Sequence, residues 1–152
     1  MNEQIYDSYS PYLNTCQDIY DKAIHSNLEN RLKSPEYVKC LSLHEYRRNF
    51  ATVSINLGRR TGKTYYINYK NNYNKDIVLV THSPFHRYAD YDHCVNIIHM
   101  SNDLRFPVLA GLNLREHEFI WVDDSSDINP RLLEEVLFHL YTKKSQTVIM
   151  LG

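Results

Sequence analysis

The feature that most restricts this chain is an alternating apolar stretch that runs straight into a glycine-bounded basic loop. Ala51, Val53, Ile55 and Leu57 alternate with Thr52, Ser54 and Asn56, a period of two that predicts a strand over 51–57. Gly58-Arg59-Arg60-Thr61-Gly62-Lys63-Thr64 follows at once. The chain has only 4 glycines in 152 residues and two of them fall in this loop, so the backbone there needs freedom that the rest of the chain does without.

A strand, a permissive turn and then Lys-Thr opening a helix can gather backbone N–H groups, a helix N-terminus and one lysine around a phosphate chain. On that reading Gly58, Arg59, Arg60, Thr61, Gly62, Lys63 and Thr64 form a binding loop for ATP. Lys63 would reach the β- and γ-phosphates, and the Thr64 hydroxyl would take a position on Mg2+. The usual pattern has four residues between its glycines; this loop has three, and Leu57 stands where the first glycine would be. The alternative reading of the segment is an exposed basic turn.

A magnesium ion bridging phosphates calls for a carboxylate fixed at the end of a buried strand. Phe119-Ile120-Trp121-Val122-Asp123-Asp124 has that form, about sixty residues downstream. Asp123 is the expected metal ligand beside Thr64, and Asp124 the expected catalytic residue that orients or deprotonates water. An acidic turn with helix-capping chemistry is the alternative reading, since Ser125-Ser126-Asp127 follows.

The remaining pattern fits an α/β fold with a mainly parallel sheet flanked by helices. Residues 1–50 read as an N-terminal helical layer, with Ile19, Tyr20, Ala23, Ile24 and Leu28 at helical spacing behind a cap at Thr15, and a second helix starting at Ser34-Pro35. Residues 51–152 read as the core, in one compact domain with the helices. Short apolar runs at 76–80, 95–99, 119–122 and 147–151 have the character of buried parallel strands. Asn129-Pro130 opens a helix whose Leu132, Leu133, Val136, Leu137 and Leu140 share a face, and 65–69 are placed on a helix by the loop before them.

Composition narrows the function classes. Lys plus Arg number 17 against 18 Asp plus Glu, so a general electrostatic pull toward nucleic acid or anionic membrane is excluded. Cys16, Cys40 and Cys94 are an odd number at unrelated spacing, which speaks against a disulfide framework. No run approaches the roughly 20 apolar residues of a membrane span, and the start lacks a signal-peptide pattern, so a soluble cytoplasmic protein without membrane partners is expected. The 13 tyrosines, among them Tyr65, Tyr66, Tyr69 and Tyr73, read either as half-buried amphipathic rings or as base-stacking surfaces.

With its double arginine ahead of Gly62-Lys63-Thr64, the loop resembles that of the ATPase domain of the large terminase subunit, the motor that packs DNA into tailed-phage and herpesvirus capsids. The likeness extends over much of 43–152, with 119–124 similar to the family's Walker B strand and 147–152 similar to its coupling motif. The resemblance implies a P-loop NTPase fold, Mg-ATP hydrolysis, a homo-oligomeric ring, double-stranded DNA and a portal or packaging partner, and host cytoplasm as the location of a viral protein. It also implies that Arg59 stabilises transition-state charge in cis, a role that can contribute a factor of about 10³–10⁵ in rate. The family's adenine-contacting glutamine has no counterpart before the strand, where Leu43-His44-Glu45-Tyr46-Arg47-Arg48 stands, and Tyr46 is the candidate for stacking on the base. No nuclease domain follows and the residues end at Gly152, as expected of a fragment or a shortened relative.

Three other readings stay open. His82, His86, His93, Cys94 and His99 supply zinc-compatible ligands, although Pro84 interrupts the helical spacing of the first two. A second is a shortened P-loop protein that binds nucleotide or a partner and hydrolyses nothing. A helicase or recombination-type ATPase is built on similar lines.

Overall fold

The computed structural model describes residues 3–70, 75–81, 97–100 and 117–152, with side chains from residue 11 onward. Five strands form one sheet in the order β1-β5-β4-β2-β3, and every neighbouring pair is parallel. They are β1 (Thr52–Ile55), β2 (Asp76–Thr81), β3 (Ile97–Met100), β4 (Phe119–Asp123) and β5 (Thr147–Leu151). Among the described residues four α-helices accompany them: α1 (Glu3–Leu32), α2 (Leu43–Asn49), α3 (Lys63–Lys70) and α4 (Pro130–Leu140). The α/β class with a parallel sheet flanked by helices is as the sequence predicts.

Alternation along the strands sorts the core into two layers, because successive side chains leave opposite faces. Ile77, Leu79, Ile120, Val122 and Val148 join α4 and α2 on one face. Val53, Val78, Val80, Trp121, Ile149 and Leu151 join α1 and α3 on the other. The central strands are therefore apolar on both sides, which explains why they read as continuous hydrophobic runs.

The expected N-terminal helical layer is divided between these faces: α1 covers one and α2 the other. On α1 the buried stripe is Cys16, Tyr20 and Ile24, while Ile19 is exposed. Thr15 does not cap α1, which begins at Glu3; its hydroxyl donates instead to the Pro11 carbonyl one turn back (3.0 Å). Ser34-Pro35 leads only into a short 3-10 turn, Glu36–Cys40. The true capping box lies further on, where Ser42 and Glu45 satisfy each other's backbone N–H groups at the start of α2. Cys16 is buried and Cys40 exposed, and neither forms a disulfide.

Arg31 fastens the end of α1 to both neighbours. Its guanidinium donates to Thr147 Oγ1 (2.6 Å), to the carbonyls of Lys144 (2.5 Å) and Gln146 (2.9 Å), and to Tyr46 Oη (3.2 Å). Hydrogen bonds from a charged donor contribute about 1.5–3 kcal/mol each, and the buried Thr147 hydroxyl would lose its donor with the side chain. Arg31→Ala is expected to destabilise the protein by about 2–4 kcal/mol, read as a lower urea midpoint at unchanged slope. A loss below about 0.5 kcal/mol would show that water replaces the guanidinium at no cost.

Candidate functional site

The site forms at the carboxyl edge of the sheet, where β1 gives way to the glycine loop and β4 to its acidic turn. β5 separates these strands. With neighbouring strands about 4.8 Å apart, loop and acids leave the sheet about 10 Å from each other. α3 closes that gap by packing back over β4. Alternation along β4 sends Phe119, Trp121 and therefore Asp123 toward the face that α3 occupies.

The result is direct contact between the two predicted halves. Thr64 Oγ1 donates to Asp123 Oδ2 at 2.6 Å, and Asp123 Oδ1 accepts the Asp124 backbone N–H at 2.9 Å. Lys63 Nζ lies 3.0 Å from Asp124 Oδ1 and donates to the Gly58 carbonyl at 3.2 Å. Asp123 is buried, while the side chains of Lys63 and Asp124 retain 11% and 20% of their exposure. Lysine, hydroxyl and both carboxylates thus meet at one edge of the sheet.

The backbone of the loop carries a regularity that the sequence does not announce. Gly58, Arg60 and Gly62 have φ of +87°, +58° and +71°, so left-handed residues alternate with Arg59 and Thr61 between them. Alternating handedness is the backbone pattern of a nest, in which successive N–H groups turn toward a common centre. The Gly58 amide donates to Asn56 Oδ1 (3.0 Å), and Arg59 and Arg60 form a turn in which the Thr61 N–H reaches back to the Gly58 carbonyl. The Tyr66 N–H donates to the Gly62 carbonyl (2.8 Å), so the nest runs directly into the first turn of α3. Arg60 adopts its left-handed conformation without being glycine, at a cost of about 1–2 kcal/mol.

Neighbouring segments close the floor of the site. The Gly152 N–H donates to the Ile55 carbonyl (2.8 Å), and a Cβ on Gly152 would lie 2.5 Å from Ser126 Oγ and 3.3 Å from Asn56 Cγ. The end of β5 therefore touches both the loop and the acidic turn. Tyr20 of α1 donates to Thr61 Oγ1 (2.8 Å). Sequence reasoning missed Tyr20, Asn56, Ser126 and Gly152 as parts of the site. Only Asn56 carried a signal, as an Asx-turn residue two positions before a glycine.

One predicted site residue is placed differently from expectation. Tyr46 is not brought to the loop: it is buried beside Phe50, beneath the cations of Arg31 and Lys144, near the start of β5 and so at the opposite end of the sheet. Its ring belongs to the core because α2 must cover an apolar sheet face, and it has no route to a base bound at the loop. Arg59 and Arg60 lie on the exposed rim of the loop with no ion pair among the described residues. Of the zinc-compatible set, His99 is half-buried on β3; His82, His86, His93 and Cys94 lie outside the described residues, as does Tyr73.

The donor chemistry suits a hard cation held jointly with a ligand. Thr64 and Asp123 present adjacent oxygens, and among the described residues no group of three or more His, Cys, Asp or Glu could hold a metal alone. Mg2+ keeps most of its water and is bound by one or two protein oxygens together with phosphates, so the pair fits such an ion. No helix among the described residues is long and apolar enough to cross a membrane.

The chain is thus an α/β protein with a glycine loop of alternating handedness and a paired hydroxyl and carboxylate at the edge of a parallel sheet. No protein-family model matches this chain, and neither a curated protein nor a solved structure matches it.

Proposed function

We propose that this chain is a P-loop protein that binds Mg-ATP and hydrolyses it. The observation that carries the reading is the meeting of an alternating-handed loop, Lys63, and the Thr64–Asp123 pair at one edge of a parallel sheet. Open α/β sheets take ligands outside the carboxyl ends of their strands, and this is such a position.

In this mechanism the loop amides and the Lys63 ammonium bind and orient the triphosphate. Thr64 and Asp123 would hold Mg2+, which when bound neutralises charge on the phosphate oxygens. Asp124 orients the attacking water and accepts its proton at Oδ1, the oxygen that Lys63 contacts. Arg59, exposed at the rim, is free to turn onto the developing charge of the transferring phosphoryl group.

The finer reading, a DNA-packaging motor of the terminase type acting in a ring on double-stranded DNA with a portal partner, rests on the Arg59-Arg60 loop and on the likeness of 119–124 and 147–152. A second reading is a protein that binds nucleotide without turnover. It is favoured by the ion pair of Asp124 with Lys63, which occupies the oxygen that would otherwise address water.

Titration calorimetry tests the binding claim. ATP with Mg2+ is expected to give a saturable, stoichiometric heat, with affinity at least tenfold weaker once Mg2+ is chelated. Absence of heat in both conditions would overturn the proposal. Phosphate release with and without DNA then separates an enzyme from a binder.

A further inference from the structure

The glycine loop is held by a residue of the long helix that packs over it. Tyr20 is fully buried, and its hydroxyl donates to Thr61 Oγ1 at 2.8 Å. Thr61, itself buried, donates in turn to the Gly58 carbonyl at 3.2 Å. A threonine hydroxyl can accept one bond while donating another, and Tyr20 Oη also lies 3.5 Å from the Thr61 carbonyl, so the phenol meets Thr61 at both its side chain and its backbone. The Gly58 carbonyl receives Lys63 Nζ as well, so two side-chain donors occupy the oxygen at the mouth of the loop.

The same helix grips the other flank. The Tyr20 and Tyr66 rings lie 4.9 Å apart, and Tyr66 Oη donates to Asp21 Oδ1 at 2.7 Å, where Lys70 Nζ also pairs at 3.1 Å. Burial, reinforced by Asp21, pushes the Tyr66 phenol far above its ordinary range, so it remains a neutral donor. Burial likewise raises the Tyr20 phenol, against the bond to Thr61. Leu13 completes the contact: a Cβ on Gly62 would lie 3.3 Å from its Cδ2.

A loop with two glycines and a strained arginine has many conformations of similar energy, and a ligand that must order it first loses affinity to that ordering. We infer that Tyr20 is a positioning residue of the phosphate loop, acting through Thr61 to keep residues 58–62 in the alternating conformation that gathers their amides. The purpose of this device rests on the proposed binding of Mg-ATP; its conformational part does not.

The test separates the two. In the ligand-free protein, Tyr20→Phe is expected to speed hydrogen exchange at the Thr61 amide, which closes the turn onto the Gly58 carbonyl, about tenfold while leaving β5 unchanged. The same variant should bind Mg-ATP about tenfold more weakly by calorimetry. Thr61→Val should reproduce both effects, Thr61→Ser should restore wild-type values, and the double variant should be no weaker than either single one. Wild-type exchange and affinity in Tyr20→Phe, or additive losses in the double variant, would overturn the inference. If the wild-type protein takes up no Mg-ATP the nucleotide reading fails, and the exchange measurement alone decides the role of Tyr20.

Discussion

Lys63→Ala is expected to raise the dissociation constant for Mg-ATP at least a hundredfold while leaving the protein folded. The Lys63 side chain, largely covered, places its ammonium beside the nest between the Gly58 carbonyl and Asp124. A charge-assisted contact of that kind to a phosphate contributes about 2–5 kcal/mol when one partner is truncated, and about 2.7 kcal/mol is already a hundredfold. Stability depends on the same side chain far less. Its removal leaves Asp124 partly open to water, and the solvent-screened pair contributes about 1 kcal/mol or less. Lys63→Arg should recover only part of the affinity, since a planar guanidinium does not replace a compact ammonium between two oxygens. Wild-type affinity in Lys63→Ala, measured by calorimetry beside an unchanged melting curve, would remove this lysine from the site.

The prediction draws on residues whose meeting was legible because they combine local patterns. An alternating strand, glycines where the chain otherwise avoids them, and a carboxylate closing an apolar run each reflect a short-range constraint. Those constraints placed Lys63, Thr64, Asp123 and Asp124 in one site. The strands were equally legible, being apolar on both faces in a sheet covered by helices on each side. What could not be read depends on the path of the chain through space. Tyr20 meets Thr61 across 41 positions of sequence, and no local pattern distinguishes it from any other tyrosine on a helical apolar face. Tyr46 misled for the complementary reason: an aromatic residue just ahead of the first strand is near the loop in sequence, yet the strand itself carries the loop to the opposite end of the sheet. Thr15 and Ser34 are good capping residues by type, but helix α1 begins at Glu3 and Ser34 donates to the Asn30 carbonyl (3.2 Å) instead of opening a helix. The nest itself required Arg60 to adopt a left-handed conformation that its residue type disfavours, so propensity pointed away from it.

Asp124→Asn is expected to move binding and turnover in opposite directions. The Asp124 carboxylate lies 3.0 Å from Lys63 Nζ and neutralises the charge that a triphosphate needs. A bound phosphate chain must compete for that ammonium, and it also meets a carboxylate of its own sign. Two unit charges about 6 Å apart at an effective dielectric of about 20 repel by nearly 3 kcal/mol, and solvent reaching the partly exposed carboxylate reduces this to about 1 kcal/mol. Asparagine should therefore tighten Mg-ATP binding roughly fivefold. The same change takes away the only atom proposed to accept the proton of water, a loss of about 10²–10⁴ in rate where a general base is required. Asparagine is also the substitution that isolates this effect, because Asp124 has φ of +48° and asparagine tolerates the left-handed region better than alanine does. Tighter binding with phosphate release reduced at least a hundredfold would support an enzyme in which Lys63 is handed from Asp124 to the nucleotide. Tighter binding in a protein whose wild type already releases no phosphate would support the binder instead, and weaker binding in the variant would show that Asp124 holds the ligand and does not oppose it.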